Sequence, residues 1–194
     1  MEKEALKRIF DFLEDKEQQK PPLKWKLINN IPLTEEELNV KGSLFLYNSN
    51  ITHLPEGLKV GGYLDLSHSK IESLPEGLKV GGDLNLGDSR IRLLPEGLKV
   101  GGSLYLSDTK ITSLPEGLKV GGNLFLDHTN ITSLPEGLKV GGYLDLELTN
   151  ITSLPEGLKV GGNLYIRNSE LKKYTDDELR EMIQPGFIKG KILR

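Results

Sequence analysis

The chain has 194 residues, of which 37% are hydrophobic, and a formal net charge of −3, which suits a single soluble domain. It contains no cysteine, so disulfides, thiolate metal sites and cysteine nucleophiles are excluded. No apolar run approaches the ~20 residues of a membrane-spanning helix, and the N-terminus MEKEALKRIF lacks the apolar core of a signal peptide. We therefore expect a cytoplasmic protein. The negative charge lies in residues 31–170, which carry −6, against +1 and +2 in the flanking segments.

Residues 1–30 are predicted to form an N-terminal capping helix and a linker. The apolar residues that recur at helical spacing are Leu6, Ile9, Phe10 and Leu13. This pattern predicts a helix over residues 3–19, which Pro21 and Pro22 end. We expect the helix to cover the first of the repeats that follow, with Trp25 buried against the same end.

Residues 31–170 consist of seven repeats of 20 residues. The stretch LPEGLKVGG occurs six times without change, first at Leu54 and then every 20 residues. Counting Ile51 as position 1, apolar residues occupy positions 1, 4, 8, 10, 14 and 16. The first repeat, residues 31–50, has Thr34 and Glu35 where the others have Leu and Pro. A period of this length predicts a solenoid, in which terminal repeats are often atypical.

Each repeat predicts two extended segments and no helix. Residues 63–66 alternate outward and inward, which predicts a strand with one buried face, stacked parallel to its neighbours at ~4.8 Å. Residues 58–60 alternate over a shorter stretch, and the proline and glycine of LPEG disfavour a helix there. Between the two, Gly61–Gly62 turns the chain where we expect side chains not to fit. The predicted fold class is a β-rich repeat solenoid with a parallel sheet, a non-helical back wall and helical caps at both ends. A three-walled β-helix is the alternative.

Position 19 of every repeat holds a hydroxyl, which we expect to satisfy backbone groups at the corner after the strand. Residues 171–194 then predict a C-terminal cap. Thr175 and Glu178 have the spacing of a capping box that opens a helix over about residues 176–183. Pro185 and Gly186 stop this helix, and residues 187–193 predict a terminal strand.

The repeat resembles a known family. The pattern LxLxx[ST]xIxxLP, carried in one copy by Leu64, Leu66, Ser69, Ile71, Leu74 and Pro75, is similar to the short LPX-type bacterial leucine-rich repeat. The resemblance covers residues 31–170. It departs from the family in having Ser or Thr where Asn is usual, and in the KVGG segment. Secreted bacterial effectors that bind host proteins carry such repeats, and similar small repeat proteins occur in phages. The resemblance therefore implies a leucine-rich-repeat-like fold and a protein-binding role.

The outward positions 13 and 15 of the strand vary most between repeats and carry aromatic and acidic side chains. Exposed Tyr and Phe are typical interface anchors, although cross-strand pairing that stabilises the sheet by ~0.2–1 kcal/mol per pair is an alternative explanation. Only Arg167 opposes the acidic groups, so we expect a protein partner with a basic or mixed surface, no nucleic acid and no membrane. The predicted partner-binding residues are Phe45, Tyr47, Tyr63, Asp65, Asp83, Tyr105, Asp108, Phe125, Asp127, Tyr143, Asp145 and Tyr165.

A metal site is the catalytic alternative. Position 18 reads His68, Asp88, Asp108 and His128 in four successive repeats, and these side chains suit metals. Stacking would separate the two histidines by about 14 Å, too far to share one ion at bonds of ~2 Å. We therefore predict no metal, no cofactor and no catalytic residue. A metal-dependent hydrolase at this column is the enzymatic alternative.

Two further columns are invariant in the six near-identical repeats, a glutamate at position 6 and a lysine at position 9. Like charges at coil spacing repel by about 1 kcal/mol per neighbouring pair in water, so we expect the two columns to neutralise each other on a solvated back wall. The sequence is best interpreted as a monomeric, non-enzymatic protein-binding module. By resemblance, it is a phage or bacterial protein that targets or inhibits a host protein. A structural or assembly repeat protein is the alternative.

Overall fold

A computed structural model describes residues 21–194 of the chain. The capping helix predicted over residues 3–19 lies outside these residues. Helix α1 (Leu23–Ile28) begins directly after Pro22, and its Leu27 joins the hydrophobic core. The expectation that Trp25 is buried is wrong, because it is 50% exposed. Residues two apart lie on opposite sides of a helix, so the burial of Leu27 turns Trp25 to solvent.

The chain winds into a solenoid with two parallel sheets of eight strands each. Every coil contributes one two-residue strand to each sheet. Within residues 31–170 each strand residue pairs with the residue 20 positions later, and the C-terminal strands pair with residues 28 positions earlier. The back sheet contains β1 (Asn39–Val40), β3 (Lys59–Val60), β5 (Lys79–Val80), β7 (Lys99–Val100), β9 (Lys119–Val120), β11 (Lys139–Val140), β13 (Lys159–Val160) and β15 (Phe187–Ile188). The front sheet contains β2 (Leu44–Phe45), β4 (Leu64–Asp65), β6 (Leu84–Asn85), β8 (Leu104–Tyr105), β10 (Leu124–Phe125), β12 (Leu144–Asp145), β14 (Leu164–Tyr165) and β16 (Ile192–Leu193).

This architecture confirms the predicted leucine-rich-repeat-like parallel β-solenoid with a non-helical back wall. The back wall, predicted to be extended or strand-like, is hydrogen-bonded from coil to coil and forms a second parallel sheet. The rest of each coil carries no strand. In the six near-identical coils this part contains two left-handed residues. One is the glycine at position 7, and the other is the residue at position 18.

The core runs without interruption along the solenoid axis. Positions 1, 4, 8, 10, 14 and 16 point inward and are at most 8% exposed in the six near-identical coils, as the apolar pattern predicts. The prediction for the position 19 hydroxyls is also confirmed. Ser69 donates to the carbonyl oxygen of Leu66 at 2.6 Å, and Thr109 donates to that of Leu106 at 2.6 Å. Among residues 21–194, no buried side-chain nitrogen or oxygen atom lacks a hydrogen-bond partner.

The two glycines that join the back and front strands are required by stacking. A Cβ at Gly101 would overlap the carbonyl oxygen of Gly81 in the preceding coil. The first coil has no coil before it, and there the equivalent residue is Lys41, which carries a full side chain. At the next position, a Cβ on Gly82 would lie 2.8–3.1 Å from three backbone atoms of the preceding coil, whereas one on Gly42 would meet nothing within 4 Å.

The C-terminal residues close the solenoid with an eighth pair of strands and a helix. A 3₁₀ turn (Glu170–Lys173) leads to helix α2 (Asp176–Met182). Thr175 and Glu178 form the predicted capping box. Arg180 on α2 donates to the carbonyl oxygens of Ile188 and Gly190, the latter at 3.0 Å, and so occupies acceptors at the end of the back sheet. No helix within residues 21–194 is long and apolar enough to cross a membrane.

We predict that Gly82→Ala lowers the free energy of unfolding by at least about 2 kcal/mol, because overpacking of this kind forces backbone shifts. Gly42→Ala is the matched control, since it occupies the same repeat position in the first coil and should leave stability nearly unchanged. Urea denaturation of both variants measures the difference. Equal stability losses would show that the glycines serve the turn alone and not the stacking.

Candidate functional site

The strand face, which we define as the outward positions 13 and 15 of the front sheet, carries its aromatic rings in pairs. Parallel in-register strands bring position 15 of neighbouring coils side by side. Tyr105 and Phe125 stack at 4.8 Å between centroids with a 10° interplanar angle. Phe45–Tyr63 and Tyr143–Tyr165 make edge-to-face pairs at 5.7 and 6.0 Å. Pairing therefore contributes to the stability of the sheet, as the alternative explanation expected.

Pairing leaves much of this aromatic surface open to solvent. Phe45 is 50% exposed and Tyr143 is 44% exposed, and Tyr47, just beyond the first strand, is 54% exposed. The stacked rings of Tyr105 and Phe125 are half-buried. The ring edges that face solvent thus form a discontinuous apolar strip along a surface whose other groups are polar.

Polar residues at position 13 bind the next coil. Asp83 accepts a hydrogen bond from the backbone N–H of Ser103 at 2.7 Å, and Ser103 accepts one from Asn123 N–H at 3.0 Å. Asn123 repeats the contact with Tyr143 N–H at 2.8 Å. Asp83, predicted to bind a partner, therefore also has a scaffold role. The sequence alone does not reveal it, because the acceptor and donor lie 20 residues apart.

Aspartates at position 15 are fixed by the turn that follows the strand. Asp65 accepts the N–H of Ser67 at 3.0 Å, and Asp145 accepts that of Glu147 at 2.9 Å. Asn85 does the same for Gly87, so the amide and the carboxylate are interchangeable in this contact. The negative charge of the aspartates is therefore not required by the turn.

Three acidic side chains cluster on this surface, and they are Asp127, Asp145 and Glu147. Burial raises the pKa of Asp145, and the charges of Asp127 and Glu147 raise it further. Asp127 accepts from the hydroxyl of Ser107 and lies 3.2 Å from Nδ1 of His128. This contact raises the pKa of the His128 imidazole. Phe125 and Tyr165 sit on either side of Asp145 in the sheet register, so aromatic rings flank this half-buried carboxylate.

The histidine and aspartate column at position 18 is explained by backbone conformation. His68, Asp88, Asp108 and His128 all lie in the left-handed region, with φ between 52° and 58°, which Asn, Asp and His adopt far more readily than other side-chain-bearing residues. His68 Nδ1 lies 3.6 Å from Asp88, whereas His128 pairs within its own coil. No group of three or more His, Asp or Glu side chains among residues 21–194 is arranged to hold a metal ion.

Leu148 is the exception in this column. It has φ 54° like its equivalents, yet its side chain is apolar and 43% exposed. A left-handed conformation costs an ordinary L-residue roughly 1–2 kcal/mol, and neither the turn nor the core benefits from a leucine here. Leu148 directly follows Glu147 in the chain, at the corner after the front-sheet positions of Tyr143 and Asp145. The sequence already marks Leu148 as unusual, because leucine stands where six other coils have Asn, Asp or His.

A second charged surface lies on the back sheet. The lysine ladder, comprising Lys59 and its equivalents, points outward from six successive strands, and the glutamates at position 6 are exposed at the preceding corner. The expectation that the two columns neutralise each other is not met by direct pairing. No lysine of the ladder lies within 4.0 Å of a carboxylate among residues 21–194.

No protein-family model matches the chain, and no curated protein matches it. Among solved structures, the chain is similar to the leucine-rich-repeat domain of a Shigella effector, with 16% sequence identity and a TM-score of 0.41 over 96% of each chain. The strand pairing described above defines the class independently. The protein is a leucine-rich-repeat-like parallel β-solenoid of 20-residue coils.

We predict that Leu148→Asn raises the free energy of unfolding by about 1 kcal/mol, because asparagine tolerates the left-handed conformation. The reciprocal change Asp108→Leu should lower it by a similar amount. Chemical denaturation of the two variants checks both signs. A loss of stability in Leu148→Asn would mean that the packing of leucine outweighs its backbone strain.

We predict a pH-dependent gain in stability from Asp145→Asn. Burial raises the pKa of Asp145 above 3.8 in the folded protein. Between pH 3.8 and the folded-state pKa, the folded protein therefore binds more protons than the unfolded chain, and its stability falls as pH rises through this interval. The amide removes this penalty and keeps the hydrogen bond to Glu147. The variant should melt at a higher temperature than the wild type at pH 7, and the difference should vanish as pH falls below about 3.8. A variant that is less stable at pH 7 would contradict this sign.

Proposed function

We propose that the protein is a non-enzymatic binding module that recognises another protein through the strand face. The observation that carries this proposal is the position at which the coils of this chain differ from one another. Inward positions and the LPEGLKVGG stretch are nearly constant, whereas position 15 changes among Phe, Tyr, Asp and Asn from coil to coil. If position 15 served only to pair with the same position of the neighbouring coil, the same residue would be expected in every coil. Large rings and charges placed individually are the composition of a recognition surface.

The chemistry of this surface favours a basic or mixed partner surface. Asp127, Asp145 and Glu147 crowd around exposed aromatic edges, and Arg167, 3.8 Å from Glu147, is the nearby opposing charge. Burial, and after it the charges of Asp127 and Glu147, raise the pKa of Asp145. Lys or Arg from a partner would offset those charges and could pack against the rings of Phe125 or Tyr165. Complementary charge of this kind gives orientation and a faster association rate. Nucleic acid carries the wrong sign for this face.

Leu148 supports the same location for the partner. An exposed apolar residue in a strained backbone conformation is typical of functional positions, where a contact in the complex offsets the conformational cost. It would extend the aromatic strip by one apolar anchor at the edge of the acidic group. The proposed contact area therefore centres on the fifth to seventh coils, with Phe45 and Tyr47 as a second aromatic group at the other end.

The LPX-type resemblance extends the proposal to a phage or bacterial protein that targets or inhibits a host protein in the cytoplasm. We expect it to act as a monomer. Assembly by end-to-end stacking of coils is the less favoured role, because Arg180 already occupies backbone acceptors at the end of the back sheet.

Photo-crosslinking tests which face binds. A benzophenone amino acid at Tyr143, in lysate from candidate host bacteria, should give discrete adducts that excess wild-type protein competes away. The same probe at Glu136, exposed at the corner that precedes the back strand of the same coil, should give none. Adducts from Glu136 alone would place the contact elsewhere and refute the proposal.

Mutation of the stacked pair gives a quantitative prediction. Tyr105→Ala with Phe125→Ala should abolish competition for the Tyr143 adduct, while lowering the free energy of unfolding by about 1 kcal/mol, the scale of a lost aromatic pair. The matched control is Glu116→Ala with Glu136→Ala, which changes two exposed residues off the strand face. It should compete as well as the wild type. A double alanine variant that competes fully and is merely less stable would show that the rings serve the sheet alone.

A further inference from the structure

The lysine ladder forms one side of a groove that the strand-face proposal does not use. Position 9 points outward from the back sheet, and the next outward position is the glycine that begins the corner, which has no side chain. The result is a shallow trough of about 590 Å³ along the solenoid axis. Its lining consists of Lys79, Lys99, Lys119 and Lys139 and the Val–Gly pairs that follow the first three.

Charge in this groove has one sign. Neighbouring lysines are paired in strict register, so their stems leave the sheet ~4.8 Å apart. None has an ion-pair partner within 4.0 Å among residues 21–194. The glutamates at position 6 lie at the corner on the other side of the lysines and contribute nothing to the groove lining. An extended ligand in the trough would therefore meet ammonium groups along its whole length.

We propose that this groove binds an extended acidic polypeptide segment, independently of the partner on the strand face. The full ladder of six lysines, of which four line the groove, spans about 24 Å at strand spacing, and an extended chain rises about 3.3 Å per residue. A run of about seven acidic residues therefore matches the ladder in length and nearly in charge. The long lysine stems absorb the remaining difference in period.

Two other anionic ligands fit the groove less well. Single-stranded nucleic acid is usually held by aromatic rings on which the bases stack, and the groove lining contains neither an aromatic residue nor an arginine. A flat anionic membrane surface would approach the exposed glutamate column at the adjacent corner as closely as the lysines. A narrow chain lying on the glycine side of the ladder avoids those glutamates.

Fluorescence anisotropy with the full-length protein and a labelled octaglutamate peptide tests the proposal. We expect saturable binding in 50 mM salt that weakens at least tenfold in 200 mM salt, and no binding of an octaglutamine peptide. The combined variant Lys79→Gln, Lys99→Gln, Lys119→Gln and Lys139→Gln should bind at least tenfold more weakly. Its melting temperature should be unchanged or higher, because like charges have been removed. The four corresponding Lys→Arg changes should preserve binding.

The matched control removes four positive charges elsewhere. It replaces Lys70, Arg90, Arg92 and Lys110, all exposed on the strandless segment of the coils, by glutamine, and it should bind octaglutamate like the wild type. Equal losses in both variants, or no binding by the wild type, would overturn the groove. Tenfold tighter, lysine-dependent binding of oligothymidylate or polyphosphate of equal charge would overturn the choice of a polypeptide. A lysine-dependent dimer in sedimentation would assign the groove to a second copy of the chain.

Discussion

The distance between successive coils is the constraint on which the rest of this structure depends. Within residues 31–170 both sheets pair each strand residue with its counterpart 20 positions later, so each strand side chain there lies next to the equivalent position of the neighbouring coil. Inward positions satisfy this with stacked leucine, isoleucine and valine. At the corner between the sheets the backbones approach so closely that only glycine fits, and the identity of Lys41 in the first coil shows that the restriction disappears when no coil precedes.

The same constraint divides the residues of a coil by role. Position 7 and position 18 supply left-handed turns, position 19 supplies a hydroxyl to a carbonyl, and polar side chains at position 13 bind an N–H of the next coil. What remains free is position 15, part of position 13 and the exposed back. The two free surfaces carry opposite charge, acidic with aromatic rings on the front sheet and lysine on the back. The two outward surfaces of a single 20-residue coil thus differ both in charge and in how much their side chains vary between coils.

Much of this architecture could be predicted from the sequence, because six near-identical repeats show the same pattern of inward apolar and outward polar positions. The strands, the non-helical back wall, the hydroxyl contacts and the Thr175–Glu178 capping box all follow from local spacing. The left-handed conformation at position 18 was not recognised, and a turn requirement therefore resembled a metal-ligand column. Trp25 was misjudged because no helix was expected after Pro22, and on α1 the burial of Leu27 turns Trp25 to solvent. Contacts between coils, such as Asp83 with Ser103, or the lack of contact between glutamate and lysine columns, depend on geometry that the one-dimensional pattern does not contain.

The way in which the C-terminal segment joins the last coil affects how the array can evolve. Phe187, Lys189 and Gly190 donate their backbone N–H groups to carbonyl oxygens of Leu158, Val160 and Gly162, atoms that every internal coil presents in the same arrangement. Asn163 adds a side-chain bond to Lys191, and Asn123 offers an equivalent group two coils earlier. The end segment therefore recognises a generic coil and not a unique sequence. Unequal recombination between the repeated codons could lengthen or shorten the protein by whole coils while the C-terminal segment still pairs with the last coil, and so produce front and back sheets of different length from one gene.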